Sequence, residues 1–272
     1  MKIIDVGANP INTPAYQPLI EEDMCRVWGF EPHPDAFASL QKVRNTKLTY
    51  FPVAIGQPGT RKLYAHEFAV LSSSFRIHKP SADFLGRERW YKKKITEIET
   101  EYVSLDSLSE LPAVDVLKMD LQGGELDVVL GGKRVLSEAV AVIPEVRFHR
   151  IYNGEPLWAE LDIVLRKHGF KLHKFLTKKS LPIKNSQWRR LDRKSIASQL
   201  LDGDAVYIRD LEDKKSLSCN QLKQLVVAAD VIFKSFDLAL HCLDELTARE
   251  EISRDITSQY VEYLPKSVVL DN

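Results

Sequence analysis

Cysteine is scarce: Cys25, Cys219 and Cys242 are the only three in 272 residues, and they stand far apart. That spacing excludes a disulfide framework and a paired-cysteine zinc site, and it fits a reducing, cytoplasmic setting. An excess of either charge is also missing, because 38 basic residues meet 38 acidic ones. No whole-protein field therefore draws the chain to nucleic acid. Lys92-Lys93-Lys94 is too short to supply one and reads as a solvated helix end. No stretch approaches the roughly 18 uninterrupted apolar residues of a membrane span, and the opening MKIID carries no apolar leader. A soluble, unexported protein without a membrane span is the expectation. Internal repeats and low-complexity segments are lacking as well.

What is present is alternation. Short runs rich in β-branched residues alternate with amphipathic stretches, the pattern of a mostly parallel sheet with helices on both faces, a doubly wound α/β fold. Seven strands are expected, at 2–6, 26–31, 48–54, 114–120, 139–146, 170–175 and 204–209, with helices at 15–24, 34–44, 124–137 and 156–168. Gly169 follows the last helix, where a left-handed closing residue is wanted. Residues 56–104 break the rhythm: GQPGT is a turn, and KLYAHEF, VLSSSF and ITEIETEYVSL alternate like antiparallel strands. They read as an insertion in a Rossmann-like α/β domain spanning 1–210. From 211 to 272 a helical extension follows. Leu222 to Leu243 carry apolar residues three or four apart in one long run, Ser218 and Gln221 form a capping box, and Thr247 with Glu250 suggests a second helix over 248–262. The tail is expected to pack on its own domain or on a second copy of the chain.

In such a sheet the ligand lies across the carboxyl ends of the strands. Asp5, Gly7 and Asn9 follow the first strand, and Gly7 removes a side chain where a cofactor must approach backbone. Glu31 ends the second strand, where an acid can accept hydrogen bonds from both hydroxyls of a ribose. A dinucleotide would also need three spaced glycines to seat its pyrophosphate, and only Gly7 is there. Pro10 removes a further backbone donor. A cofactor without a pyrophosphate fits best, and S-adenosyl-L-methionine has that chemistry.

The stretch VLKMDLQGGELDVVLGG (116–132) ends a buried strand with Lys118 and Asp120, then turns through Gly123-Gly124 into a helix at Glu125. Asp120 is placed near a bound methyl group, or it caps the following helix. From VIPEVRFHRIYNGEPLW (142–158), Glu145 is a candidate to position or deprotonate an acceptor hydroxyl, and His149 has the side chain that titrates nearest neutrality. A lone loop histidine also has a structural reading. Asp120 and Glu145 offer two oxygen ligands, too few for a divalent ion, so no metal is expected.

The order DVGAN, FEP, LDSL, KMDLQGGEL and EV resembles the FkbM-type family of S-adenosylmethionine-dependent methyltransferases over about residues 3–176. The resemblance implies a class I methyltransferase sheet and O-methylation of a sugar or glycan hydroxyl or a natural product. It places Asp5, Gly7 and Asn9 at the methionine end of the cofactor and Glu31 at its ribose. Lys118, Asp120, Gly123 and Glu125 match the family's signature, and Ser72-Ser73-Ser74 resembles a serine run facing the acceptor. Two departures stand out: Pro10-Ile11 replaces the usual second glycine, and Gln122 replaces the usual acid before Gly123. The chain also opens directly on the first strand, so the insertion, the tail or a partner is expected to close the pocket. The alternative is a non-catalytic module that keeps the fold and binds cofactor or a partner. An oxidoreductase on the same sheet lacks its glycines.

Overall fold

Residues 1–8, 13–43, 45–213 and 216–270 are described by a computed structural model, so Asn9 and the Pro10-Ile11 turn lie outside the described residues. The chain runs β1 (Lys2–Val6), α1 (Gln17–Glu21), β2 (Arg26–Phe30), α2 (Pro34–Leu40) and β3 (Leu48–Phe51). The inserted part holds β4 (Ala54–Ile55), β5 (Gly59–His66), α3 (Lys79–Phe84), α4 (Arg89–Lys92) and β6 (Ile95–Val103). The sheet resumes with β7 (Val116–Met119), α5 (Glu125–Leu130), β8 (Ala141–Arg147), α6 (Trp158–Lys167), β9 (Phe170–Phe175), β10 (Lys179–Leu181) and β11 (Gln199–Arg209). Three helices close the chain: α7 (Cys219–Val227), α8 (Phe236–Ala248) and α9 (Ile256–Glu262).

The main sheet orders its strands β10-β11-β8-β7-β1-β2-β3, with β9 on the β11 edge away from β8. Strands β3, β2, β1, β7 and β8 run parallel, and β11 is antiparallel to both β8 and β9. The chain moves outward from β1 to β3 and returns to β7 on the other side of β1. The switch point therefore lies between β1 and β7, where such sheets bind ligands. Eight strands replace the expected seven because β10 adds a short edge strand. Strand β11 also starts at Gln199, ahead of the expected 204. Its Asp-Gly-Asp stretch looks like a turn, yet Asp202 is buried inside the strand by an ion pair with Arg147 on β8 at 2.7 Å.

Side chains alternate between two cores, as a period of two requires. Ile3, Val27, Val116, Ile143 and Val206 face α1 and the C-terminal helices. Ile4, Phe30, Leu117, Val142 and Tyr207 face α5 and α6. The helices after residue 218 thus share a core with the sheet through Leu222, Leu225, Phe233 and Leu246. The Ser218 and Gln221 capping box is present, each side chain bonding the other's backbone N–H. The single long helix is not. A π-helical turn over Ala228–Phe233 ends at Lys234 with φ +51°. Ser235 N–H bonds the Ala229 carbonyl at 2.8 Å, and Lys174 Nζ reaches the Phe233 carbonyl at 2.9 Å. Thr247 lies inside α8 and starts no helix, Glu250 closes that helix at φ +60°, and α9 begins only at Ile256.

The insertion forms its own sheet, β4-β6-β5, with β5 and β6 antiparallel as expected. VLSSSF is not a strand: Ala69–Leu71 is a 3₁₀ turn, and one bridge joins Ser73 to Tyr64. Among the described residues no helix is long and apolar enough to cross a membrane.

Candidate active site

The carboxyl ends of β1, β2 and β7 open into a cleft of about 570 Å³, whose far wall is the insertion. Gly7, Glu31 and Asp120 all line it. Gly7 has φ +82°, and a Cβ there would stand 2.0 Å from the Asp120 carbonyl oxygen. The Gly7 and Ala8 N–H groups both bond the Phe30 carbonyl, at 2.9 and 3.1 Å, which ties the end of β1 to that of β2, and the Asp120 N–H bonds the Val6 carbonyl at 2.9 Å, which ties β1 to β7.

Glu31 is 7% exposed. One carboxylate oxygen accepts the His33 N–H at 2.8 Å, and among the described residues the other has no partner. Burial pushes the carboxyl above its ordinary range, opposed by the His33 N–H. A pair of ribose hydroxyls would satisfy that oxygen. His33 lines the same wall, and its Nδ1 is buried without a hydrogen-bond partner. A half-satisfied acid, an orphaned ring nitrogen and a glycine with no room for a side chain together fit a ribose-bearing cofactor without phosphates.

Asp5 does not line the cleft. It shares the sheet face of Ile3, so its side chain is buried beneath α1. There it accepts the Tyr16 hydroxyl at 2.5 Å and pairs with Lys118, its register partner on β7, at 3.0 Å. Burial pulls the Lys118 ammonium down, but Asp5 and Asp120 hold it above its ordinary value. Asp5 therefore braces the strand ends from below.

Glu145 and His149 also stand outside the cleft. Glu145 opens on a small recess with Gly123, Leu126 and Trp158, and its carboxylate accepts Gln122 Nε2 at 2.8 Å and pairs with Arg147 at 2.9 Å. The His149 ring lies against Phe84 of α3, tilted by 31° with ring centroids 5.6 Å apart. Burial and neighbouring His78 lower its pKa, and its Nε2 is buried without a partner. Arg147 sits among Glu145, Glu155 and Asp202, at 2.9, 3.4 and 2.7 Å. Among the described residues no three His, Cys, Asp or Glu side chains converge on a metal-binding point.

Glu125 opens α5 and accepts the Leu121 and Gly123 N–H groups at 2.8 and 3.0 Å, which fixes the Gly123-Gly124 turn. Burial raises its carboxyl to about 7. The folded form thus binds the proton more tightly than the unfolded chain. The stability it contributes is complete below pH 4.5 and is lost as pH rises through about 7. In urea unfolding, wild type is expected to weaken by up to about 3 kcal/mol relative to Glu125→Gln between those limits. A constant difference between the two proteins across that range would refute the assignment.

The serine run does reach the cleft. Ser72 Oγ accepts the His66 N–H at 3.0 Å, and Ser73 Oγ donates to the Gln122 carbonyl at 2.7 Å. Sequence reasoning missed His33, His66 and Tyr102 as lining residues. His33 had a signal, since it follows Glu31 by two positions in FEPHP; His66 and Tyr102 arrive only through the pairing of β5 with β6. His66 Nδ1 accepts the Phe68 N–H and its Nε2 meets the Trp90 carbonyl at 2.7 Å, so both ring nitrogens are occupied.

Residues 5–172 match the model of the methyltransferase FkbM domain. The chain is 30% identical to a 2-O-methyltransferase, NoeI, of Sinorhizobium fredii over 176 residues, covering 60% of this chain and 70% of that protein. Among solved structures it is similar to the magnesium protoporphyrin IX methyltransferase of Synechocystis PCC 6803 (10% identity, 76% of this chain and 69% of that one, TM-score 0.36). It is also similar to a TehB-like methyltransferase of Corynebacterium glutamicum (10% identity, 77% and 80%, TM-score 0.38).

Proposed function

Given that the chain belongs to the methyltransferase FkbM domain family, we propose that it methylates a hydroxyl group of a sugar, glycan or related natural product bound in the cleft. The family's cofactor, S-adenosyl-L-methionine, supplies an electrophilic methyl group when bound. The observation that carries the reading is the meeting of Gly7, Glu31 and Asp120 in one cleft at the switch point. Glu31 binds the ribose hydroxyls, Gly7 leaves room for the ligand against backbone, and the insertion forms the wall opposite. The name of the NoeI relative, a 2-O-methyltransferase, supports an oxygen acceptor.

The residues act mainly by alignment and by exclusion of water. A sugar hydroxyl is a weak nucleophile near neutral pH, so a carboxylate within reach assists as its proton leaves. Of the acids that line the cleft, Glu31, Asp35, Glu67 and Asp120, the last stands at the end of β7 against Gly7 and is the one we assign to this role. The test is transfer of a radiolabelled methyl group from S-adenosylmethionine to a panel of mono- and disaccharides, glycosides and polyphenols. Label on a saccharide hydroxyl supports the reading. Tight cofactor binding with no transfer to any acceptor would favour a binding module instead.

A further inference from the structure

Gln122 stands where the family resemblance places an acid, and its surroundings give that exchange a purpose. Its backbone is left-handed, φ +55°, a conformation that costs a non-glycine residue about 1–3 kcal/mol. The side chain uses its full hydrogen-bonding capacity. Nε2 donates to Asp120 Oδ1 at 3.0 Å and to Glu145 Oε2 at 2.8 Å. Oε1 accepts Arg147 at 3.2 Å and the Tyr152 hydroxyl at 3.1 Å. The backbone carbonyl accepts Ser73 from the cleft wall. The side-chain amide thus joins the ends of β7 and β8 to the loop after β8, and the backbone carbonyl of the same residue joins them to the insertion.

We propose that Gln122 is a positioning residue that fixes the Asp120 carboxylate at the cleft as the proton acceptor and keeps Glu145 out of that role. This rests on the hydroxyl-methylation reading above. An amide does what an acid at this position would not: it donates to both carboxylates, whereas a third carboxylate would repel them. With its second oxygen free of partners among the described residues, Asp120 is left to meet the acceptor. Glu145 is held through Oε2, which accepts both the Gln122 amide and Arg147. The charged and titratable groups facing this pair are Lys118 on β7, Glu125 at the start of α5, Arg147 on β8, Asp202 on β11 and Tyr152. In the transfer the acceptor's O–H bond would break and its proton would end on Asp120, while a methyl–oxygen bond forms as the methyl–sulfur bond breaks and S-adenosylhomocysteine leaves.

The experiment compares wild type, Gln122→Glu, Gln122→Met and Glu145→Gln for S-adenosylhomocysteine affinity, kcat and KM against pH. Gln122→Glu is expected to bind within about threefold of wild type, with the acid limb of its rate profile moved up by about one pH unit through the added like charge. Gln122→Met is expected to lose at least about tenfold in kcat at unchanged KM, because one hydrogen bond is worth about that much. Glu145→Gln should keep transfer within about threefold, since an amide oxygen can still accept from Gln122. An unmoved acid limb in Gln122→Glu overturns the proposal, as does loss of transfer in Glu145→Gln with cofactor binding intact. If wild type binds cofactor but methylates nothing, the hydroxyl reading fails. The positioning claim is then decided by exchange of the Gln122 side-chain N–H protons in the bound protein: protection of both supports it, and rapid exchange of both overturns it.

Discussion

Gly7→Ala is expected to lower affinity for S-adenosylhomocysteine by more than about a hundredfold, or about 2.8 kcal/mol, and to destabilise the fold. Two costs combine. A side chain at φ +82° costs about 1–3 kcal/mol, and its Cβ would be driven to 2.0 Å from the Asp120 carbonyl oxygen. The neighbouring backbone cannot give way easily, because Asp120 N–H bonds the Val6 carbonyl at 2.9 Å. The strand ends must spread, and the cleft floor spreads with them. Gly154→Ala is the control: Gly154 has φ +76°, but nothing lies within 4 Å of its added Cβ. It should show the backbone cost alone and bind cofactor normally. Calorimetric titration and thermal melting of both variants separate strain from steric exclusion, and equal behaviour of the two would contradict the geometry.

Arg147→Met is expected to destabilise the protein by about 3–5 kcal/mol at neutral pH, because removing one partner leaves buried charge uncompensated. The guanidinium is 4% exposed and faces three carboxylates. Burial pushes Glu145, Glu155 and Asp202 upward, and Arg147 opposes that rise for each of them. Without the cation their folded-state pKa values climb further. The variant's deficit is then complete above those raised values and shrinks as pH falls through them and the acids take up protons. Urea midpoints measured across the acid range test this. A deficit below about 1 kcal/mol, within the range of an exposed ion pair, or one that does not change with pH, would show that the arginine carries no such charge.

Much of the fold was legible because a strand announces itself by what it buries. The runs 2–6 and 170–175 coincide with β1 and β9, since a glycine marks one end of each, Gly7 after β1 and Gly169 before β9. Gly169 closes α6 at φ +81° as its position after the helix implied. The break in the C-terminal run was not legible, because apolar spacing continues through the π-helical turn and bonds from residues distant in the chain, His173, Lys174 and Tyr260, help to fix it. Helices α3 and α4 were hidden by the strand-like alternation on either side of them.

The site divides in the same way. Gly7, Glu31 and Asp120 sit at strand ends, where position along the chain decides exposure to the cleft. Asp5 was misplaced because its direction depends on strand parity, which turns it to the face of Ile3. Glu145 lies near the end of β8 and His149 follows that end, but the amide of Gln122 and the ring of Phe84 hold them away. Gln122 was visible as an exception to a motif. Its role was not, since its partners come from residues 73, 120, 145, 147 and 152.

The most direct measurement is calorimetric titration of wild type and Glu31→Ala with S-adenosylmethionine, S-adenosylhomocysteine and NAD. Binding of the first two by wild type, no binding of NAD, and a loss of about a hundredfold in Glu31→Ala is the expected result, since hydrogen bonds to a charged group contribute about 1.5–3 kcal/mol each. Failure of wild type to bind S-adenosylmethionine, or equal affinity in Glu31→Ala, would contradict the assignment of this cleft.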